Sequence, residues 1–348
     1  MILFIIVYTI LGLIFFQIVL LAFLSIRKWR HNVDEKEINH LYNSLLDPFT
    51  SYMIGHDQHL FIDQIETIRH RSILVEKLLA YYVAVIKDSS FSQEVNVLSE
   101  KYLSGPYTAV LKKNNWAKRI NTLHFIEDFK IQSLSTLLLE RLCKVKKLDV
   151  EAQQLIRTLA SLNETSVLDF LRKYPNAPMR LYLDSFSRLD RKLAEQEIEK
   201  ALAENFIPIK LSAIAFIGTA RLLSFRTHVE HELQNTTTEI RIQSLKTLFR
   251  LHYMDNPGAL EPFFHSDNWA ERMFAARIAG VMTLERFKPK LRHLLSDQVW
   301  WVRYSAAEAF SYFGDGELLL TYFSENHEDQ FARDMAKQWI ILKSGGQA

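Results

Sequence analysis

Hydrophobic, small and basic positions recur together through the second half of the chain. The stretch Asp267 to Gly314 contains WAERMFAARIAG, which returns as WWVRYSAAEAFSYFG with its arginine shifted by 31 residues, from Arg272 to Arg303. With the basic residue as marker, Arg180, Lys210, Arg241, Arg272, Arg303 and Arg333 follow at intervals of 30, 31, 31, 31 and 30 residues. One position before the marker stand Met179, Ile209, Ile240, Glu271, Val302 and Ala332; three positions after it stand Leu183, Ala213, Ser244, Ala275, Ala306 and Ala336. Offsets of −1, +3 and +6/+7 share one face of a helix. The small residues at +3 let neighbouring helices approach closely, and Gly218 and Gly280, eight past their markers, are expected at such contacts. A short apolar segment, LERFKPKLRHLLS, separates the two best copies. No strand-like alternation of useful length occurs, so the expectation is an all-α solenoid of stacked helical repeats.

The repeat fades towards the N-terminus. NWAKRINTLHFIEDF carries Arg119 as a marker, and VEAQQLIRTLASL is the next copy with Gln in its place. The solenoid is therefore expected over residues 112–342, its last helix at about 328–342 with Trp339 and Ile340 on the apolar side, and 343–348 as a disordered tail. Residues 27–111 are expected as a juxtamembrane basic segment and divergent helices that cap the array. Breaks are expected at Asp47-Pro48 and Gly105-Pro106.

Residues 1–26 are uncharged and almost wholly apolar. At about 1.5 Å per residue, such a helix crosses a hydrocarbon core of about 30 Å with some tilt. A cleaved signal peptide would need a basic start, a shorter apolar core and a small-x-small cleavage site, and none of these is clear. Arg27, Lys28 and Arg30 follow at once, with Trp29 suited to the membrane interface. The positive-inside rule then places the N-terminus outside and the large domain in the cytoplasm, as a single-pass inner-membrane protein.

The repeat resembles HEAT repeats, in the short subclass found in phycobilin-lyase-type proteins. The resemblance rests on Asp297 with Arg303 six residues later and Val302, Ala306 and Ala307 around it; Asp267 and Arg272 are five apart, and Asn235–Arg241 and Glu204–Lys210 keep the spacing of six with other residue types. In that family the acid and arginine form a ladder between adjacent repeats, so the resemblance implies a structural role for Asp267, Arg272, Asp297 and Arg303. The architecture is similar to that of bacterial membrane-anchored HEAT proteins that accompany membrane enzymes, and the resemblance extends to a polysaccharide-synthesising glycosyltransferase as partner.

Charge narrows the function. The chain has 42 basic and 40 acidic residues; without Arg27, Lys28 and Arg30 the balance is 39 to 40, unlike the basic domain of a nucleic-acid binder. The single cysteine, Cys143, excludes an intramolecular disulfide and is expected as a buried helical thiol. His228 and His231, three apart with acids beside them, share a helix face, but neither HExxH nor HxxEH matches. HEAT hydroxylases with a di-iron centre use four His-Glu pairs, and this chain has two, His231-Glu232 and His327-Glu328. No nucleophile–base set stands out. The expectation is a non-catalytic protein without a cofactor, a scaffold or accessory subunit whose partner is a membrane protein, with a HEAT-type metal or lyase enzyme or a nucleic-acid-binding solenoid as alternatives. Trp269, Trp300 and Trp301, at the starts of the long helices, are the partner-binding candidates; of the adjacent pair, one is expected to be exposed or half-exposed.

Overall fold

A computed structural model describes residues 2–56, 58–86 and 92–345, and every regular element among them is a helix. The chain divides into two compact units, Met1–Leu162 and Asn163–Ala348, so the repeat region expected over 112–342 is shared between them.

Unit 1 opens with α1 (Ile2–Met53), about 78 Å long at 1.5 Å per residue. It continues with α2 (Gln58–Glu66), α3 (Arg71–Val85), α4 (Ser92–Lys112), α5 (Trp116–Phe129), α6 (Ser135–Cys143) and α7 (Val150–Ser161). Helix α1 packs on α2 and α3, α3 on α4, α4 on α5, and α5 on α7. Both expected breaks are absent. Helix α1 runs through Pro48 and α4 through Gly105-Pro106. Each proline sits beside a buried i, i+4, i+8 stripe: Leu45, Phe49 and Met53 in α1, Leu103, Tyr107 and Leu111 in α4. A proline inside a helix costs about 3 kcal/mol. Three buried side chains at roughly 1.5–3 kcal/mol each outweigh it.

The apolar surface of α1 is exposed wherever its side chains are described between residues 12 and 25, Leu13, Phe15, Phe16, Leu21 and Phe23 included. Residues 1–11 and 26 of the expected span have side chains outside the described residues. Among the described residues no helix is long and apolar enough to cross a membrane. Lys28 is exposed, and the side chains of Arg27, Trp29 and Arg30 lie outside the described residues.

Unit 2 contains α8 (Ser166–Leu171), α9 (Met179–Arg188), α10 (Arg191–Ala203), α11 (Ile207–Thr219), α12 (Arg226–His231), α13 (Thr238–Leu251), a 3-10 segment (Pro257–His265), α14 (Trp269–Val281), α15 (Lys288–Leu294), α16 (Trp300–Phe310), α17 (Gly316–Asn326) and α18 (Gln330–Gly345). Helices α9, α11, α13, α14, α16 and α18 form a row in which each packs on the next. The shorter segments lie between them in sequence and pack back on the row. Helix α18 continues through residues 343–345 of the expected tail, while 346–348 lie outside the described residues.

The +3 residues Ala213, Ser244, Ala275, Ala306 and Ala336 are all fully buried in the row. Helix α9 departs from this register. Arg180 is exposed and Leu183 only half-buried, whereas Leu181, Tyr182, Ser185 and Phe186 are buried. The buried face there begins two residues later than the basic marker indicates. Close approach is tightest at Gly280, where an added Cβ would lie 2.4 Å from the Cα of Ala309 in α16. Gly218 meets Thr247 more loosely, at 3.0 Å.

A backbone feature also repeats. Lys130, Asn163, Arg221, His252 and Thr283 all adopt positive φ, between 50° and 64°, and four of them lie eleven residues past Arg119, Lys210, Arg241 and Arg272. The fifth places Ala152 at the marker position of α7, where a glutamine was expected. These left-handed residues end the long helices. The amide that follows donates back to the carbonyl five residues earlier, as in Ile131 to Ile126, Leu222 to Ile217 and Leu284 to Ala279.

Candidate functional site

The marker side chains build a ladder of charged groups, and its rungs follow one recipe. From Arg241 onward each arginine turns its Nη1 back to the end of the preceding segment, donating to the carbonyls six and five residues before it. Arg241 reaches Asn235 and Thr236 at 2.9 and 3.1 Å, Arg272 reaches Ser266 and Asp267 at 2.7 and 3.2 Å, and Arg303 reaches Asp297 and Gln298 at 2.7 and 3.1 Å. Arg333 does the same with His327 and Glu328, at 2.5 and 3.0 Å. These are carbonyls a helix end leaves without partners. The residue six before the marker holds the turn with its own side chain. Asn235, Ser266, Asp297 and His327 each accept the amide two residues on, at 2.9, 3.0, 2.8 and 3.1 Å.

The other edge of the guanidinium reaches forward to an acid of the next repeat. Arg272 grips Asp297 with Nε at 2.6 Å and Nη2 at 2.9 Å. Arg241 Nε donates to Glu271 at 2.7 Å, and Ser266 Oγ donates to the other oxygen of the same carboxylate. In unit 1 Arg119 holds Glu151 by two bonds of 2.8 and 2.7 Å, and Arg141 adds two more. Lys210 pairs with Glu232 at 2.9 Å, both buried. Arg172, which lies outside the repeat register, holds Glu204 through Nε and Nη2.

The expected ladder residues thus occupy different places. Arg272 and Asp297 pair directly. Asp267 gives Arg272 its backbone carbonyl and acts on it by charge through space, and the carboxylate hydrogen-bonded in that repeat is Glu271, held by Arg241. Arg303 caps two carbonyls, and its Nε is buried with no hydrogen-bond partner among the described residues. Burial alone would push the Asp297 carboxyl up, but Arg272 and the Val299 amide hold it below its ordinary value. Glu151 is also held low, chiefly by the Arg119 hydrogen bond against burial.

All three tryptophans are exposed: Trp269 by 43%, Trp300 by 40% and Trp301 by 56%. Trp300 and Trp301 are not both expected in the core, and both lie outside it. They form the first turn of α16, and the buried face starts at Val302. Trp300 stacks on Tyr304 at 5.0 Å, Trp301 meets Trp300 edge-on at 4.7 Å, and Trp339 packs on Tyr304 while its Nε1 donates to the Tyr304 carbonyl at 3.2 Å. Met179, Ile207 and Phe331 are also exposed, at the starts of α9, α11 and α18. The shared signal in sequence was a large apolar residue just before each buried face.

The other candidates resolve into ordinary surface. His228 and His231 are exposed, while Glu232 beside them is engaged by Lys210. Among the described residues, no group of three or more His, Cys, Asp or Glu is placed to hold a metal ion. Cys143 is exposed at the end of α6, contrary to its expected burial, because the buried face of that short helix is Ser135, Leu138 and Leu142. A cleft of about 500 Å³ beside it is lined by Arg141, Lys144, Lys146 and Lys147, but also by Asp149 and Glu151. Of these acids, Asp149 caps α7 through the Ala152 amide and Glu151 carries a rung. No family model matches the chain, and no curated protein matches it.

Proposed function

We propose that this chain is a non-catalytic, membrane-anchored HEAT-like scaffold, an accessory or regulatory subunit of a membrane complex. The observation that supports it most is the set of exposed tryptophans at the starts of α14 and α16, in an array whose buried charges are spent on holding repeats together. Aromatic side chains of this size dominate protein interfaces when covered. A helix apolar around its whole circumference, as α1 is over residues 12–25, belongs in lipid or inside a larger assembly. Lipid is the proposed environment: residues 1–26 anchor the chain, and Arg27, Lys28, Trp29 and Arg30 lie at the inner interface with the repeats in the cytoplasm. A polysaccharide-synthesising glycosyltransferase is the partner class suggested by the architectural resemblance alone.

The test is a mild-detergent pull-down of the tagged full-length chain, with a second sample lacking residues 1–26, followed by mass spectrometry. A membrane enzyme recovered in stoichiometric amount supports the accessory role, and the second sample separates contact through α1 from contact through the repeats. Partner-free protein in both samples overturns the reading. A reporter fused after Ala348 that is active only outside the cytoplasm overturns the orientation.

A further inference from the structure

We propose that the Arg303 end of unit 2 is the docking site for a protein segment that presents a carboxylate flanked by apolar side chains. The proposal rests on the scaffold reading and specifies the chemistry of the partner. Its basis is a rung that lacks its acid. Arg241 and Arg272 each cap two carbonyls with Nη1 and hold a carboxylate of the next repeat with Nε, at 2.7 and 2.6 Å. Arg303 keeps the first half, donating to the Asp297 and Gln298 carbonyls. Its Nε, the atom that holds a carboxylate in the two preceding rungs, is buried without a hydrogen-bond partner.

The reason is visible in the register. The place of Glu271 in the next repeat is taken by Ala332, and the place of Asp297 by His327. His327 still performs the local duty of that position, because its Nδ1 accepts the Asp329 amide at 3.1 Å as Asp297 Oδ1 accepts that of Val299 at 2.8 Å. The turn is preserved and only the carboxylate is missing. An unpaired buried donor of a charged group is costly, and a charge-assisted hydrogen bond removes that cost.

The surroundings specify the rest of the partner. The Phe331 ring covers the Arg303 guanidinium at 5.0 Å and is itself 63% exposed. Trp300 and Trp301 stand on the first turn of the same helix as Arg303, also exposed. A carboxylate arriving from outside displaces the Phe331 ring from Nε, and apolar neighbours on the partner cover the aromatic side chains. A second copy docked twofold on this face would set Arg303 against Arg303, so like charge disfavours self-association here. A phosphate backbone would need several cations in a row, and the rung offers one guanidinium with a single free edge.

The decisive variant is His327→Asp, which supplies the missing carboxylate from within and keeps Arg303. The probe is a displayed library of random linear peptides, selected on the full-length chain in lipid nanodiscs. Peptides enriched on the wild type are expected to share an Asp or Glu beside aromatic or aliphatic residues. His327→Asp is expected to raise the melting temperature and to weaken those peptides about tenfold to a hundredfold, the worth of one charge-assisted bond. Arg303→Gln should weaken them similarly, with circular dichroism confirming its fold. Enrichment of peptides without an acid, no enrichment, equal binding by His327→Asp, or retention of nucleic acid alone overturns the proposal. The detergent pull-down separates the two levels. A His327→Asp chain that still brings down the wild type's partner in equal amount sinks this site and leaves the scaffold reading standing, whereas partner-free protein in both forms sinks the scaffold reading.

Discussion

Gly280→Ala tests whether the row of long helices is held by backbone-close contact. A Cβ at this position falls 2.4 Å from the Ala309 Cα and 2.6 Å from its Cβ. Carbon atoms rest at about 3.5–4.0 Å, so α14 and α16 must part by about 1 Å at this point. No rotamer relieves the clash, because both opposing atoms belong to backbone or to an alanine stub. Parting the helices also loosens the surrounding layer of Ala275, Ala279, Val302 and Ala306, all fully buried. A gap of 0.5–1 Å forfeits roughly a quarter to a half of each dispersion contact there. Overpacking of this kind costs about 1–3 kcal/mol, while exchanging a helical glycine for alanine returns about 1 kcal/mol. The net expectation is a loss of up to about 2 kcal/mol, towards the upper end because 2.4 Å lies far inside contact distance. The assay is thermal unfolding of the full chain by circular dichroism, with Gly105→Ala as control. Gly105 lies inside α4 with nothing within 4 Å of an added Cβ, so that change is expected to stabilise by up to about 1 kcal/mol. A Gly280→Ala chain as stable as the wild type would refute the close-contact argument.

Two further outcomes follow from the repeat geometry. Thr283 is β-branched and holds φ at 50°, a conformation costing an L-residue about 1–2 kcal/mol, so Thr283→Gly is expected to raise stability by about 0.5–1 kcal/mol after the added entropy of the unfolded chain, read from the same melts. Asp297 has its folded pKa held below the unfolded value, so its contribution is present above the ordinary carboxyl range and is lost as pH falls through the lower folded value. Asp297→Asn should therefore be less stable than the wild type at pH 7, with the gap closing below about pH 4; a gap that persists unchanged into acid would refute the linkage. Glu76 and Asp128, which burial pushes up, titrate with the opposite sign, so the difference between the two chains is the quantity to follow.

The helical repeat was legible in unit 2 because its signal lies in the residues that make the contact. The +3 series from Ala213 to Ala336 is small because helices touch there, and the markers Arg241, Arg272, Arg303 and Arg333 recur because each caps a helix end. Where the sequence misleads, another interaction dominates. Arg180 keeps the interval but lies outside the buried face, since α9 packs through Leu181, Tyr182, Ser185 and Phe186. Pro48 and Pro106 read as breaks because local propensity cannot register a tertiary stripe on either side of them. The left-handed helix ends were hidden for the opposite reason. Glycine usually marks them, and here Lys130, Arg221, His252 and Thr283 occupy the position. The acids of the ladder were only half visible, because Glu151, Glu271 and Asp297 reach the same kind of guanidinium edge from two different offsets, and a single spacing rule finds one of them.

These charged rungs also explain how near-identical helices keep one alignment. The faces of α13, α14 and α16 all bury small or apolar residues at +3 and +4, so sliding one helix by a turn against its neighbour would still cover apolar surface. Hydrophobic burial is non-directional and distinguishes such slips weakly. The guanidinium fork distinguishes them strongly, because one edge is tied to carbonyls of its own repeat and the other to a carboxylate of the next. A slip of one turn, about 5.4 Å, breaks both charge-assisted bonds between Arg272 and Asp297 and leaves two largely buried ions unpaired. The rung therefore contributes more to which alignment forms than to how stable the array is. At Arg303 the same logic reverses. Its own-repeat edge fixes the side chain in place, and with Ala332 and His327 where an acid would stand, the alignment information it carries is offered to whatever docks there.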